Sequence, residues 1–209
     1  MEPYFIPTAY CEVEMTEKRS RFIGRIWHVE SEEEARRHIQ ETGKYYHDAR
    51  HTCWCYSLRE SGAERYSDDG EPQGTAGQPM LELFRKKGIQ NYCCTVTRYF
   101  GGILLGTGGL VRAYSQTAGL ALEQSGISIV RRWHVVETEC SYGLFERVRL
   151  QAEECGGRIE NTEFGASVLL TVLIPEENSD EFCRKVTDLS AGQAYCLPAG
   201  ETFMAAPLK

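Results

Sequence analysis

Runs of alternating apolar and polar positions open the chain and give way to fourfold spacing further on. Cys11 to Met15 and Arg21 to Val29 carry the period-two pattern of strands, on either side of the polar turn Thr16-Glu17-Lys18-Arg19. Ser31 followed by Glu34 forms a capping box, and Glu32 and Glu33 suit the positive end of a helix that should reach about Tyr45. Thr52 to Leu58 sets Trp54, Tyr56 and Leu58 against small residues and predicts a strand, whereas Ser61 to Gly74 reads as a loop. A helix is expected from about Thr75 to Lys87, with Pro79 tolerable only in its first turns and Gly88 as its stop. Tyr92 to Tyr99 reads as a strand. Leu110, Tyr114, Ala118 and Leu122 then mark one face of a helix from about Thr107 to Ser125 that Gly126 ends.

Beyond residue 130 the order changes. Trp133 to Cys140 predicts a strand, and Leu144, Val148, Ala152 and Cys155 stripe a helix that Gly156 and Gly157 stop. Arg158 to Phe164 and Ser167 to Ile174 form a hairpin around Gly165. Asn178 with Glu181 should cap a helix carrying Phe182, Val186 and Leu189, before a short strand near Ala194 to Leu197. Strand, helix, strand, strand, helix, strand is the ferredoxin-like split βαβ plan. The chain is therefore expected to be α+β in two domains, residues 1–130 and 131–209, with the boundary between Ser125 and Trp133.

A chain of 209 residues with ordinary apolar and charged fractions can bury a proper core, so disorder is not indicated. No stretch approaches 18 uninterrupted apolar residues, and Met1 to Tyr10 lacks the pattern of a signal peptide, so the expected location is the cytoplasm, away from membranes. Charge bears on partners. Residues 1–130 hold 15 Lys and Arg against 17 Asp and Glu, and the remainder 8 against 13, for a total of −7. Bulk attraction to nucleic acid is therefore excluded, and any such binding needs a local basic patch.

The nine cysteines, an odd number with a vicinal Cys93-Cys94 pair, fit reduced, buried thiols better than a disulfide framework. His47, His51, Cys53 and Cys55 fall within nine residues, but Cys-x-Cys on a strand points both sulfurs to one face while the histidines lie in the turn before it, and no metal is assigned. Asp68, Asp69 and Glu71 could hold a divalent cation or act as an acid/base pair, yet carboxylates in a polar loop are more often solvated, and no catalytic residue or cofactor is assigned.

The densest chemistry lies between Val96 and Ala118, where two glycine clusters join a strand to a helix. Glycines so placed let backbone approach backbone or ligand and leave amides free at a helix start, where an anion is favoured. A P-loop would need Lys and then Ser or Thr after its last glycine, but Leu110 follows Gly109. A dinucleotide fingerprint opening at Gly106 would need glycine or alanine where Val111 stands. Neither nucleotide motif is present.

The run Arg98-Tyr99-Phe100-Gly101-Gly102, then Leu105-Gly106, then Gly108-Gly109-Leu110-Val111-Arg112-Ala113-Tyr114 closely resembles the signature of the YigZ/IMPACT family. Asp69-Gly70-Glu71-Pro72-Gln73-Gly74-Thr75-Ala76-Gly77-Gln78-Pro79 and Lys18-Arg19-Ser20-Arg21-Phe22-Ile23-Gly24 match two further blocks of it in the right order. The resemblance implies an N-terminal α/β domain like one domain of a small-subunit ribosomal protein and a ferredoxin-like C-terminal domain like that of elongation factor G. It also implies a non-enzymatic binding protein whose partner is RNA, the ribosome or a translation factor. An enzyme acting on a phosphorylated small molecule or nucleotide stays open as the other class, by fold analogy alone.

The site is expected where the Asp69 to Pro79 block, Arg98 and the loop Gly101 to Gly109 with Arg112 meet, with Asp69, Glu71, Thr75, Arg98, Gly101, Gly102, Gly106, Thr107, Gly108, Gly109 and Arg112 as candidates for anion or nucleic-acid binding. A cation at a helix start is locally unfavourable, so Arg112 needs an offset. Either a carboxylate of the Asp68 to Glu71 loop or an external phosphate would supply it. Tyr99, Phe100 and Tyr114 could stack bases, with Tyr114 better suited to the core.

Overall fold

A computed structural model describes residues 2–208 of the chain. The chain forms two compact units that divide between Ile129 and Val130. One comprises Tyr4–Ile129 with the residues from Ala206 onward, and the other Val130–Ala205 with the residues up to Pro3.

The first unit is built on strands β1 (Tyr4–Pro7), β2 (Cys11–Glu17), β3 (Ser20–His28), β4 (His51–Ser57), β5 (Glu64–Ser67) and β6 (Tyr92–Tyr99), with helices α1 (Glu32–Tyr45), α2 (Gly77–Lys86) and α3 (Thr107–Ser125). Its main sheet is antiparallel in the order β2-β3-β6-β4-β5. Strand parity assigns its two faces. Phe22, Ile26, Cys53, Cys55, Cys94 and Val96 pack with Met80 and Phe84 of α2 and Leu110, Tyr114 and Ala118 of α3. Val29, Tyr56 and Cys93 face the other way, with Ala35 and Ile39 of α1. Because Arg98 shares the parity of Val96 and Cys94, its side chain lies on the α2 and α3 face.

The turn between β2 and β3 is unusual. Glu17 pairs with Ser20, and the two residues between them, Lys18 and Arg19, both have positive φ, at 44° and 65°. Such a turn normally takes Asn-Gly, because an L side chain is strained there.

The second unit contains α4 (Tyr142–Glu154), β8 (Arg158–Phe164), β9 (Val168–Pro175) and α5 (Ser179–Leu189), with β7 (Ile127–Cys140) from Val130 on and β10 (Cys196–Pro207) up to Ala205. Pairing gives the order β10-β7-β9-β8, the ferredoxin-like arrangement. Val148 and Ala152 of α4 and Phe182 and Val186 of α5 pack on Val136, Val168, Leu170, Val172 and Ile174 of the sheet.

Several local expectations need correction. The Ser61 to Gly74 region contains β5, and α2 begins at Gly77 rather than Thr75. β7 starts at Ile127 rather than Trp133 and runs through the division between the units. The final strand is 12 residues long rather than a short segment. Its end returns to the first unit, where the Leu208 amide donates to the Ile127 carbonyl. Asn178 makes no cap bond to α5, because its side-chain amide donates instead to the Cys155 carbonyl at 3.0 Å. Ser31 does accept from the Glu34 amide, at 3.2 Å, but the Glu34 carboxylate closes the box on the amide of Glu30.

Candidate functional site

The segment from Asp68 to Gly77 is folded around its own backbone amides. The Asp68 carboxylate accepts from Gly74 N–H at 2.8 Å, Ala76 N–H at 3.0 Å and Gly77 N–H at 2.9 Å, so it caps α2 from a distance in sequence. Asp69 Oδ2 accepts from Thr52 N–H at 2.6 Å, and its carbonyl lies 2.6 Å from His51 Nδ1. The Cys53 thiol donates to the Asp68 carbonyl, and buried Thr75 donates its hydroxyl to the Pro72 carbonyl. These contacts tie the loop to β4. Among the described residues no three His, Cys, Asp or Glu side chains converge as a metal site.

The same loop turns Glu71 inward. Glu71 is 8 % exposed, and its Oε1 accepts from Arg98 Nη1 at 2.7 Å and from the Tyr114 hydroxyl at 2.9 Å. Its Oε2 takes no hydrogen bond from the described residues. Arg98 lies between the rings of Phe22 and Phe100, 5.6 and 5.4 Å from their centroids, and its Nε has no partner among the described residues. Burial, with the adjacent Cys53 and the Glu71 carboxylate, pushes the Tyr114 phenol far up, so it stays protonated as a donor. Arg112 is exposed and makes no ion pair among the described residues. Glu71, one of the loop carboxylates offered as an offset for Arg112 beside an external phosphate, is taken by Arg98, because strand parity brings Arg98 under the loop while Arg112 is exposed on α3.

Between Tyr99 and Thr107 the glycines have distinct tasks. A Cβ on Gly101 would lie 2.0 Å from the Arg19 carbonyl carbon, so only glycine lets this loop seat on the β2–β3 turn, and Gly101 N–H donates to Ser20 Oγ at 3.1 Å. Gly106, at φ 73°, is the N-cap of α3 and offers no side chain to its first turn, so the amides of Thr107, Gly108 and Gly109 have no capping partner among the described residues.

A cleft of about 400 Å³ opens over this arrangement. Glu71 and Arg98 form part of its lining, with Gly106 and Thr107 at the N-cap and first residue of α3, Arg50 just before β4 and His51 at its first position, and Gly70, Pro72, Phe100, Leu104, Leu105 and Leu110 as walls. A second hollow of about 120 Å³ is lined by Glu17, Lys18, Leu105, Gly109, Arg112, Ala113 and Gln116. Of the residues singled out in the sequence, Glu71, Arg98, Gly106 and Thr107 meet at the cleft, Gly109 and Arg112 at the smaller hollow, and Asp69, Thr75, Gly101, Gly102 and Gly108 line neither. Arg50 and Leu104 are the additions that sequence reading missed. Leu104 is 83 % exposed beside Ile103, and an apolar run inside a glycine loop was an available signal. The cleft thus combines apolar walls, an exposed aromatic ring, a rim cation and uncapped amides, suited to an anionic ligand with a planar part.

Residues 18–122 match the Impact N-terminal domain, and residues 138–193 match a domain of unknown function, DUF1949. The chain is 36 % identical to the IMPACT family member YigZ of Escherichia coli over 96 % of this chain and 100 % of that protein. It is 32 % identical to the IMPACT family member YvyE of Bacillus subtilis, over 93 % of this chain and 90 % of the relative. A protein IMPACT homolog of Dictyostelium discoideum is 36 % identical over 48 % of this chain and 30 % of its own length. A crystal structure titled as that of an hypothetical protein superposes with a TM-score of 0.58 at 35 % identity, covering 96 % of this chain and 98 % of the other. With two relatives above 30 % identity along almost their whole length, and the signature blocks in order, the chain belongs to the IMPACT family.

Proposed function

We propose that this chain is a non-enzymatic, cytoplasmic RNA-binding protein that works with the ribosome or a translation factor, and that it holds an unstacked nucleotide in the cleft. The observation that carries this reading is the exposed Phe100 ring beside the uncapped start of α3 and the Arg50 guanidinium, a stacking surface next to phosphate donors. The family resemblance supplies the ribosome or a translation factor as the setting. Against catalysis stands the employment of the loop carboxylates and Cys53: Asp68 and Asp69 hold backbone amides, Glu71 holds Arg98, and burial pushes the Cys53 thiol up and out of nucleophilic range.

The test is fluorescence anisotropy of a labelled single-stranded RNA, with ribosome co-sedimentation alongside. Phe100→Ala should weaken binding by about 5- to 150-fold, the worth of one base stacked on an aromatic ring. Arg50→Ala should lower the salt slope by about 0.7. Neither should shift the urea midpoint. Absence of saturable binding to RNA and to ribosomes overturns the reading. The size of the cleft, that of a small-molecule pocket, favours a nucleotide or other phosphorylated metabolite as the second reading, and a thermal-shift screen that finds such a ligand would replace RNA with it.

A further inference from the structure

We infer that Glu71 determines specificity in the cleft: its Oε2 accepts a hydrogen bond from the bound ribonucleotide, donated by the ribose 2′-hydroxyl or by a base N–H. This rests on the proposed RNA binding and adds to it a discriminating contact. The observation is an asymmetry within one carboxylate. Oε1 receives both protein donors, Arg98 Nη1 and Tyr114 O–H, while Oε2 receives none from the described residues and is not among the buried atoms left without a partner, so it keeps contact with solvent, and Glu71 lines the cleft. A carboxylate has room for about four donors, so a ligand that fills the cleft must either donate to Oε2 or strip it of water without return.

Geometry favours the first outcome. Glu71 is held rigidly, its amide donating to the Asp68 carbonyl at 2.9 Å and its other oxygen fixed by two donors, so little ordering is lost when a third donor arrives. The Arg98 cation beside it balances its charge, so a phosphate at the start of α3 is not repelled from the cleft floor. The same guanidinium touches both Glu71 and the Phe100 ring. Phe100 and Glu71 line the same cleft, so a nucleotide seated there meets both. A site built this way rejects analogues that lack the donor far more strongly than it rewards an added apolar group.

The experiment measures anisotropy of short RNAs on the full-length protein. One arm replaces ribose by 2′-deoxyribose and by 2′-O-methylribose in an otherwise identical strand. The other replaces adenine by purine and uracil by N3-methyluracil, removing base donors. At least one arm should lose about tenfold or more in affinity, the value of a hydrogen bond to a charged acceptor, and the arm that does so identifies the donor. Glu71→Gln, which keeps the shape, should abolish that discrimination; if it proves unstable because Arg98 loses its partner, the ligand series on the natural protein decides alone. If every analogue stays within threefold while Phe100→Ala still weakens binding, the role given to Glu71 is wrong and the cleft reading stands. If the natural protein binds no RNA, both fall.

Discussion

Truncating Arg98 to alanine leaves the Glu71 carboxylate buried with only the Tyr114 hydroxyl beside it. Breaking a buried pair from one side typically costs about 3–5 kcal/mol, so Arg98→Ala should lower stability by that order in urea unfolding. Arg112→Ala, at an exposed position without an ion pair among the described residues, should stay within about 0.5 kcal/mol. Equal stability of the two variants would show that the pair carries no structural weight. This contrast was half legible in the sequence. Period-two parity puts Arg98 among apolar neighbours, which requires a partner. That the partner is Glu71 depends on how Asp68 folds its loop over three amides, and no periodicity encodes that. Gly101 shows the same limit: its density with other glycines suggested ligand contact, whereas its lack of a side chain serves the close approach to Arg19.

Among the elements, α2 starts without a capping side chain of its own and depends on Asp68. Asp68→Ala should cost about 0.5–2 kcal/mol by the usual value of an N-cap, at the upper end because three amides lose their acceptor, and far-ultraviolet circular dichroism should show a small loss of helix. An unchanged urea midpoint would mean that water replaces the carboxylate fully. Elements with a buried face were readable: Tyr92, Cys94 and Val96 announce β6, and Leu110, Tyr114, Ala118 and Leu122 announce α3. β5 was not, because Glu64, Arg65, Tyr66 and Ser67 form a short edge strand with no buried residue. Most of β10 is exposed in the same way, so burial left no alternation to read there. The start of β7 was hidden by Arg131 and Arg132, whose charges interrupt the apolar pattern although the backbone stays extended.

For the molecule as a whole, the thiols give a pH dependence. All nine cysteines are free and seven are buried, and burial pushes Cys53, Cys55, Cys93 and Cys94 above the ordinary thiol value of 9.0. A group whose pKa is raised in the folded state favours folding fully below its unfolded value, and that contribution is lost as pH rises past it. The urea midpoint should therefore fall as pH is taken above about 9, and native alkylation should reach half-buried Cys183 and Cys196 before the other seven. Rapid labelling of Cys53 or Cys94 without loss of structure would contradict this. The path of the chain adds one more consequence. Because Leu208 bonds to Ile127 and Ala206 to Leu208 belong with the first unit, a fluorophore or affinity handle attached at Leu208 reports on the unit that carries the cleft, not on the ferredoxin-like unit that precedes it in sequence.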